Sequence, residues 1–125
     1  MREDEIAKII VDKCIKIHSI LGPGLLESVY EEILLHELKK SGLNCKKQVQ
    51  VPVKYDNISF EQGFRIDILV DDKVIIELKS VEKVLPVHKK QLLTYLKITG
   101  MKLGLLINFN ENLVKDGITR IVNNL

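Results

Sequence analysis

Residues 63–80 read GFRIDILVDDKVIIELKS, and this stretch decides the fold. Two apolar runs of strand length flank the polar doublet Asp71-Asp72, a turn signal. The spacing predicts a tight hairpin, one strand over roughly 59–70 and the next over 73–80. Side chains alternate faces along a strand, so Glu77 and Lys79 leave one face while Ile76 and Leu78 leave the other. Asp67 lies between Ile66 and Ile68, and a tight turn brings it alongside Glu77. Two carboxylates and an ammonium then converge within an apolar hairpin. Burying them unpartnered is expensive. A hard divalent cation such as Mg²⁺, which prefers carboxylate oxygens and water, offsets that cost. The plain alternative is a solvated sheet face. Ten Glu and sixteen Lys make a Glu-x-Lys pair expected by chance about once. A second copy, Glu37-Leu38-Lys39, falls in a helical stretch, where its charges diverge and read as surface.

Working outward, Val49, Val51, Val53 and Tyr55 alternate with polar residues upstream, another strand, and Pro52 within it marks a sheet edge. Further upstream the period changes to 3.6. Ile6, Ile9, Ile10, Ile17 and Leu21 predict a helix over 3–20, ended by Gly22-Pro23-Gly24. Leu26, Tyr30, Ile33, Leu34 and Leu38 predict a second over 25–40, with Lys39 and Lys40 at its negative end and Gly42 as its stop. Downstream, Pro86 opens a third helix that ends before Gly100. Residues 103–109 form a buried strand, and 118–122 one last short strand. The order is α-α-β-β-β-α-β, with a final β added by that tail: an α/β fold with no repeat, linker or low-complexity tract.

At 125 residues the chain is expected to form one domain, 1–125, able to bury a core without staples. Its net charge of +2 and its three Arg argue against sequence-specific groove reading and for a local basic patch if nucleic acid binds. Cys14 and Cys45 lack paired-ligand spacing and read as reduced thiols, a cytoplasmic signature. The start MREDEIAKII lacks the features of a signal peptide, and no apolar run is long enough to span a membrane. His18, His36 and His88 show no ligand spacing.

Two further pairs of residues share helix faces. Gln91 and Tyr95 are four apart, where a returning helix could set Gln91 at the water shell of an ion and Tyr95 against a base or sugar. Tyr95 is equally readable as a core-edge residue. Glu27 and Tyr30 are three apart just after the Gly-Pro-Gly break, and Glu27 is equally readable as a favourable charge at a helix start. Lys46-Lys47, Lys83, Lys89-Lys90 and Lys97 are candidates for a phosphate-contacting rim, or for ordinary solvated surface.

The segment Gly24-Leu25-Leu26-Glu27-Ser28-Val29-Tyr30 resembles the motif of the GxxExxY family, which is grouped with the PD-(D/E)XK nuclease superfamily. The likeness continues through Tyr30-Glu31, the Gln48 strand, GFRIDILV, VIIELKS, QLLTYLK and LGLLINF, nearly the whole chain. It implies a restriction-endonuclease-like core, a central mixed β-sheet flanked by helices. It further implies a Mg²⁺- or Mn²⁺-dependent nuclease acting on DNA. Asp67 and Glu77, with the Leu78 carbonyl and Glu27, would hold the metal, and Lys79 would orient water or offset developing charge. Gln91-x-x-x-Tyr95 resembles the RecB-type exonuclease branch; Gln91 is read as catalytic, and Tyr30, Tyr95, Lys89 and Lys90 as substrate-binding. Ile66 replaces the proline of the superfamily's name, which is not a ligand. The rival reading is a binding module that kept the fold, acting through nucleic acid, a protein partner or a homodimer surface.

Overall fold

The computed structural model describes residues 1–125. Ile6, Ile10, Cys14 and Ile17 recur at helical spacing and give α1 (Glu3–Leu21) one buried stripe. Gly22 and Gly24 then take φ of +74° and +100°, which suits residues without a Cβ. Leu26 is extended, so α2 (Glu27–Lys40) begins later than the apolar spacing suggests. Leu26 consequently lies outside the buried stripe and is 72% exposed. Tyr30, Leu34, Leu35 and Leu38 carry the stripe instead.

Strand β1 (Cys45–Tyr55) pairs antiparallel with β2 (Ile58–Val70), and β2 with β3 (Val74–Lys79). The crossover helix α3 (Pro86–Thr99) leads to β4 (Leu103–Asn108), which runs parallel to β3, as a βαβ unit requires. A short 3₁₀ turn (Val114–Gly117) precedes β5 (Ile118–Val122), which closes the sheet antiparallel to β4. The sheet order is β1-β2-β3-β4-β5, so β1 is an edge. Pro52 sits there, at a register shift between Val51 and Val53, where its missing N–H breaks no interior ladder. The α/β class, the mixed sheet and the element order, final strand included, agree with the expectation from sequence.

The sheet has two covered faces. Ile68, Val70, Val74, Ile76, Leu78, Leu103, Leu105 and Ile107 pack under α1 and α2. Ile66, Leu69, Ile75 and Leu106 pack against Leu92 and Leu96 of α3. Gly104 permits this second layer: a Cβ there would meet the Leu92 side chain at 2.8 Å. No helix is long and apolar enough to cross a membrane.

One local expectation fails. Glu37 was expected at the surface, yet its side chain is 8% exposed. Lys16 and Lys40 reach it from α1 and from the next turn, and their ammonium groups compensate the buried charge.

Candidate functional site

The turn between β2 and β3 takes three residues, Asp71 to Lys73, with Asp71 and Asp72 both left-handed. It fixes the pairs Val70↔Val74, Leu69↔Ile75 and Ile68↔Ile76. The next step in that register is Asp67 opposite Glu77, where the regular backbone pairing stops. Each carboxylate instead takes a backbone amide from the other strand's segment. The Leu78 N–H donates to Asp67 Oδ2 at 2.9 Å, and the Asp67 N–H points to Glu77 Oε1 at 3.4 Å. The splayed strands thus hold two acids by reciprocal contacts.

The charge between them is unbalanced. Burial, and then the adjacent Asp67 carboxylate, push Glu77 up to about 9. Lys79 acts on Glu77 only as a more distant positive charge. The ion pairs of the molecule all lie elsewhere. A half-buried carboxylate pair without a contacting cation can hold a proton or take up a divalent ion. Its hard oxygen donors fit Mg²⁺ or Mn²⁺. No group of three or more His, Cys, Asp or Glu converges here or anywhere else.

Glu27 therefore does not share a three-acid cluster with Asp67 and Glu77, which corrects the expected shell. It is exposed at the start of α2, and its Oε1 accepts the Ser80 N–H at 3.2 Å, just beyond the end of β3. Ser80 Oγ in turn donates to the Leu25 carbonyl at 2.7 Å. Glu27 and Ser80 share an open cleft of about 480 Å³ with Asn110 and Gly24-Leu25-Leu26. A larger hollow, about 600 Å³, lies between α1 and residues 112–115, and no carboxylate lines it.

Tyr30 requires the clearest correction. It is fully buried, so it cannot touch a substrate. Its hydroxyl donates to the Gly22 carbonyl at 2.6 Å and accepts the Leu25 N–H at 3.2 Å. Its ring stacks on Phe109 with centroids 4.3 Å apart. The tyrosine shapes the Gly-Pro-Gly loop that presents Glu27; it forms no part of the cleft.

Tyr95 is half-buried, and its ring lies flat on Phe64, centroids 4.0 Å apart and planes 7° from parallel. That face is closed to a base. Burial, and then the charges of Glu77 and Asp67, raise its hydroxyl above its ordinary value. Gln91 is exposed one turn earlier on the same side of α3. Lys89 and Lys90 are exposed near the start of that helix. Lys46 and Lys47 are engaged, by Asp72 and Glu32 respectively. Such exposed pairs contribute roughly 0–1 kcal/mol, so they are easily exchanged for phosphate.

Sequence reasoning missed three supports. Asn108, fully buried, accepts the Val81 and Asn110 amides and donates to the Val81 carbonyl, pinning the loop beyond β3. Its one signal was an Asn in an otherwise apolar strand. Phe64 as the platform for Tyr95 had no signal. Gln48, expected as an outward residue of an alternating strand, instead donates to Glu31 at 2.8 Å. Cys14 and Cys45 are unpaired thiols, both raised by burial, Cys45 to about 11.

A family model described as the PD-(D/E)XK nuclease superfamily matches residues 4–121. Among solved structures, an alkaline exonuclease (LHK-Exo) from Laribacter hongkongensis superposes with a TM-score of 0.50 at 18% identity. The match covers 98% of this chain and 70% of that one. At that identity the likeness concerns the fold. No curated protein matches the sequence.

Proposed function

The chain belongs to the PD-(D/E)XK nuclease superfamily, and from that premise we propose that it is a Mg²⁺- or Mn²⁺-dependent deoxyribonuclease, of the GxxExxY kind, formed as one domain over residues 1–125. One observation carries the reading: Asp67 and Glu77 face each other across splayed strands with no contacting cation, and burial together with the Asp67 charge pushes Glu77 up to about 9. A divalent ion bound there would polarise the scissile phosphate and lower the pKa of a bound water. Asp67, Glu77 and the Leu78 carbonyl are the proposed ligands, and Glu27 approaches through water from the Ser80 side. The Lys79 ammonium, on the same face of β3 as Glu77, orients the attacking water or offsets charge building on the phosphate. Gln91 positions the substrate, and the Tyr95 hydroxyl assists it. Lys83, Lys89, Lys90 and Lys97 contact the backbone as point charges.

The test has two steps. Calorimetry with Mn²⁺ alone should register binding that Asp67→Asn abolishes. Cleavage of single- and double-stranded DNA should then require Mg²⁺ or Mn²⁺. A wild type that binds no divalent ion and cleaves no nucleic acid would favour the binding-module reading, with Lys79 as a distant counter-charge to the two acids.

A further inference from the structure

Strands β1 and β2 keep one register from Cys45↔Val70 to Val51↔Phe64, with a single gap at the step where Gln48 lies opposite Asp67. At that step Gln48 has φ +52°. A residue with a side chain takes this conformation in mid-strand only when its surroundings hold it. The effect on the strands is visible in their packing. Cys45, Ile68 and Val70 lie under α1 and α2. Val49, Val51, Phe64 and Ile66 lie on the α3 side. An unbroken strand keeps alternate residues on one face, so Ile66 and Ile68 should agree, and they do not. Both strands exchange faces at the Gln48–Asp67 step without gaining or losing a residue. Asp67 sits on that crossing point, with its carboxylate at the Leu78 amide and its own amide toward Glu77.

The Gln48 side chain is held from α2. Its Nε2 donates to both carboxylate oxygens of Glu31, at 2.8 and 3.0 Å. Bonds to an ionised acceptor are the stronger kind, and both residues are half-buried. Glu31 stands one turn after Glu27, so α2 lays two acids along one side. Glu27 reaches the end of β3, and Glu31 reaches β1 opposite Asp67. We infer that Glu31 and Gln48 are a positioning pair: Glu31 locks the left-handed turn of Gln48, and that turn sets the orientation of Asp67 toward the ion. The inference rests on the proposed nuclease reading for what Asp67 does, and on the fold alone for how Asp67 is held.

The experiment compares the wild type, Glu31→Ala, and the exchanged pair Glu31→Gln with Gln48→Glu, which restores an amide-to-carboxylate bond in the opposite sense. Three quantities are read: the Asp67 and Leu78 amide resonances without metal, the affinity for Mn²⁺ alone, and single-turnover DNA cleavage. Glu31→Ala should keep a folded spectrum and shift both amides. It should weaken Mn²⁺ binding and cleavage about tenfold or more, the scale for losing an outer partner of a ligand, while KM for DNA holds. The exchanged pair should recover most of each loss. Unmoved amides with unchanged Mn²⁺ affinity overturn the inference, as does an exchanged pair no better than Glu31→Ala. If Glu31→Ala does not fold, the exchanged pair alone decides: near-wild-type amides and affinity support the pairing, and their loss overturns it. A wild type that binds no Mn²⁺ while Glu31→Ala still shifts both amides refutes the nuclease reading and upholds the positioning.

Discussion

The molecule contains the tripeptide Glu-Leu-Lys twice, and the two copies end in opposite electrostatic states. In Glu37-Leu38-Lys39, on α2, residues two apart point in different directions, so Lys39 is exposed while Glu37 turns inward. Lys16 Nζ from α1 lies 2.5 Å from Glu37 and Lys40 Nζ 3.9 Å. The hydrogen bond from Lys16 holds the Glu37 carboxyl below its ordinary value. In Glu77-Leu78-Lys79, on β3, acid and base share a face, yet no ammonium pairs with Glu77, which is buried beside the Asp67 carboxylate. Glu77 is pushed up to about 9. The same three residues therefore give a satisfied ion pair in one place and an unsatisfied charge in the other. What separates them is whether the fold itself brings a cation to the buried carboxylate. Where it does, the chemistry is closed; where it does not, a ligand has a role.

The largest expected effect breaks the comparison at its lysines. Lys79→Ala should lower single-turnover cleavage by about two orders of magnitude or more, the scale of losing one electrostatic stabiliser, with DNA and Mg²⁺ affinity nearly unchanged. Lys39→Ala should change neither quantity. Equal effects of the two variants would mean that Lys79 is another surface lysine.

Next comes the proton on Glu77. Its folded value lies above its unfolded one, so it contributes stability below about pH 4.5 that is lost as pH rises toward about 9. The metal-free wild type should therefore lose thermal stability relative to Glu77→Gln between those limits. Uptake of Mn²⁺ at pH 7 should release close to one proton, measurable by calorimetry in buffers of different ionisation heat. A Glu77→Gln variant that melts far below the wild type at pH 8 would contradict the unsatisfied charge.

Glu37 gives the mirror image. Its folded value is lowered, so its contribution is present above the unfolded value near pH 4.5 and disappears as pH falls further. Glu37→Gln should melt a few degrees lower at pH 7 and converge with the wild type in acid. Divalent ions should not affect the difference. Smallest of all should be the effect of charges that touch neither acid. Lys89→Ala together with Lys90→Ala should weaken DNA binding and reduce its salt slope by about two, leaving the single-turnover rate at saturation unchanged.

These contrasts also mark how much was legible in the chain. The sequence by itself determined the element order, because each element is read from a short-range period: 3.6 in α1 and α2, two in β1 to β3. It put Asp67 alongside Glu77, because a tight turn near Asp71 and Asp72 joins their strands; that the two are level was decided by the structure, where Lys73 joins the turn as a third residue. It also determined that Glu77 and Lys79 share a face, since strand geometry allows nothing else. Only the tertiary structure decided which charges are neutralised. Glu37 meets Lys16 across 21 positions of chain, and Gln48 meets Glu31 across 17. The same holds for Tyr30, which shares the helical spacing of an exposed residue near Glu27 but is sealed by Phe109 from β4's end. It holds for Tyr95, one face of which is taken by Phe64. Periodicity reports which way a side chain leaves its own element. The partner it meets there belongs to another element, and only packing brings the two together.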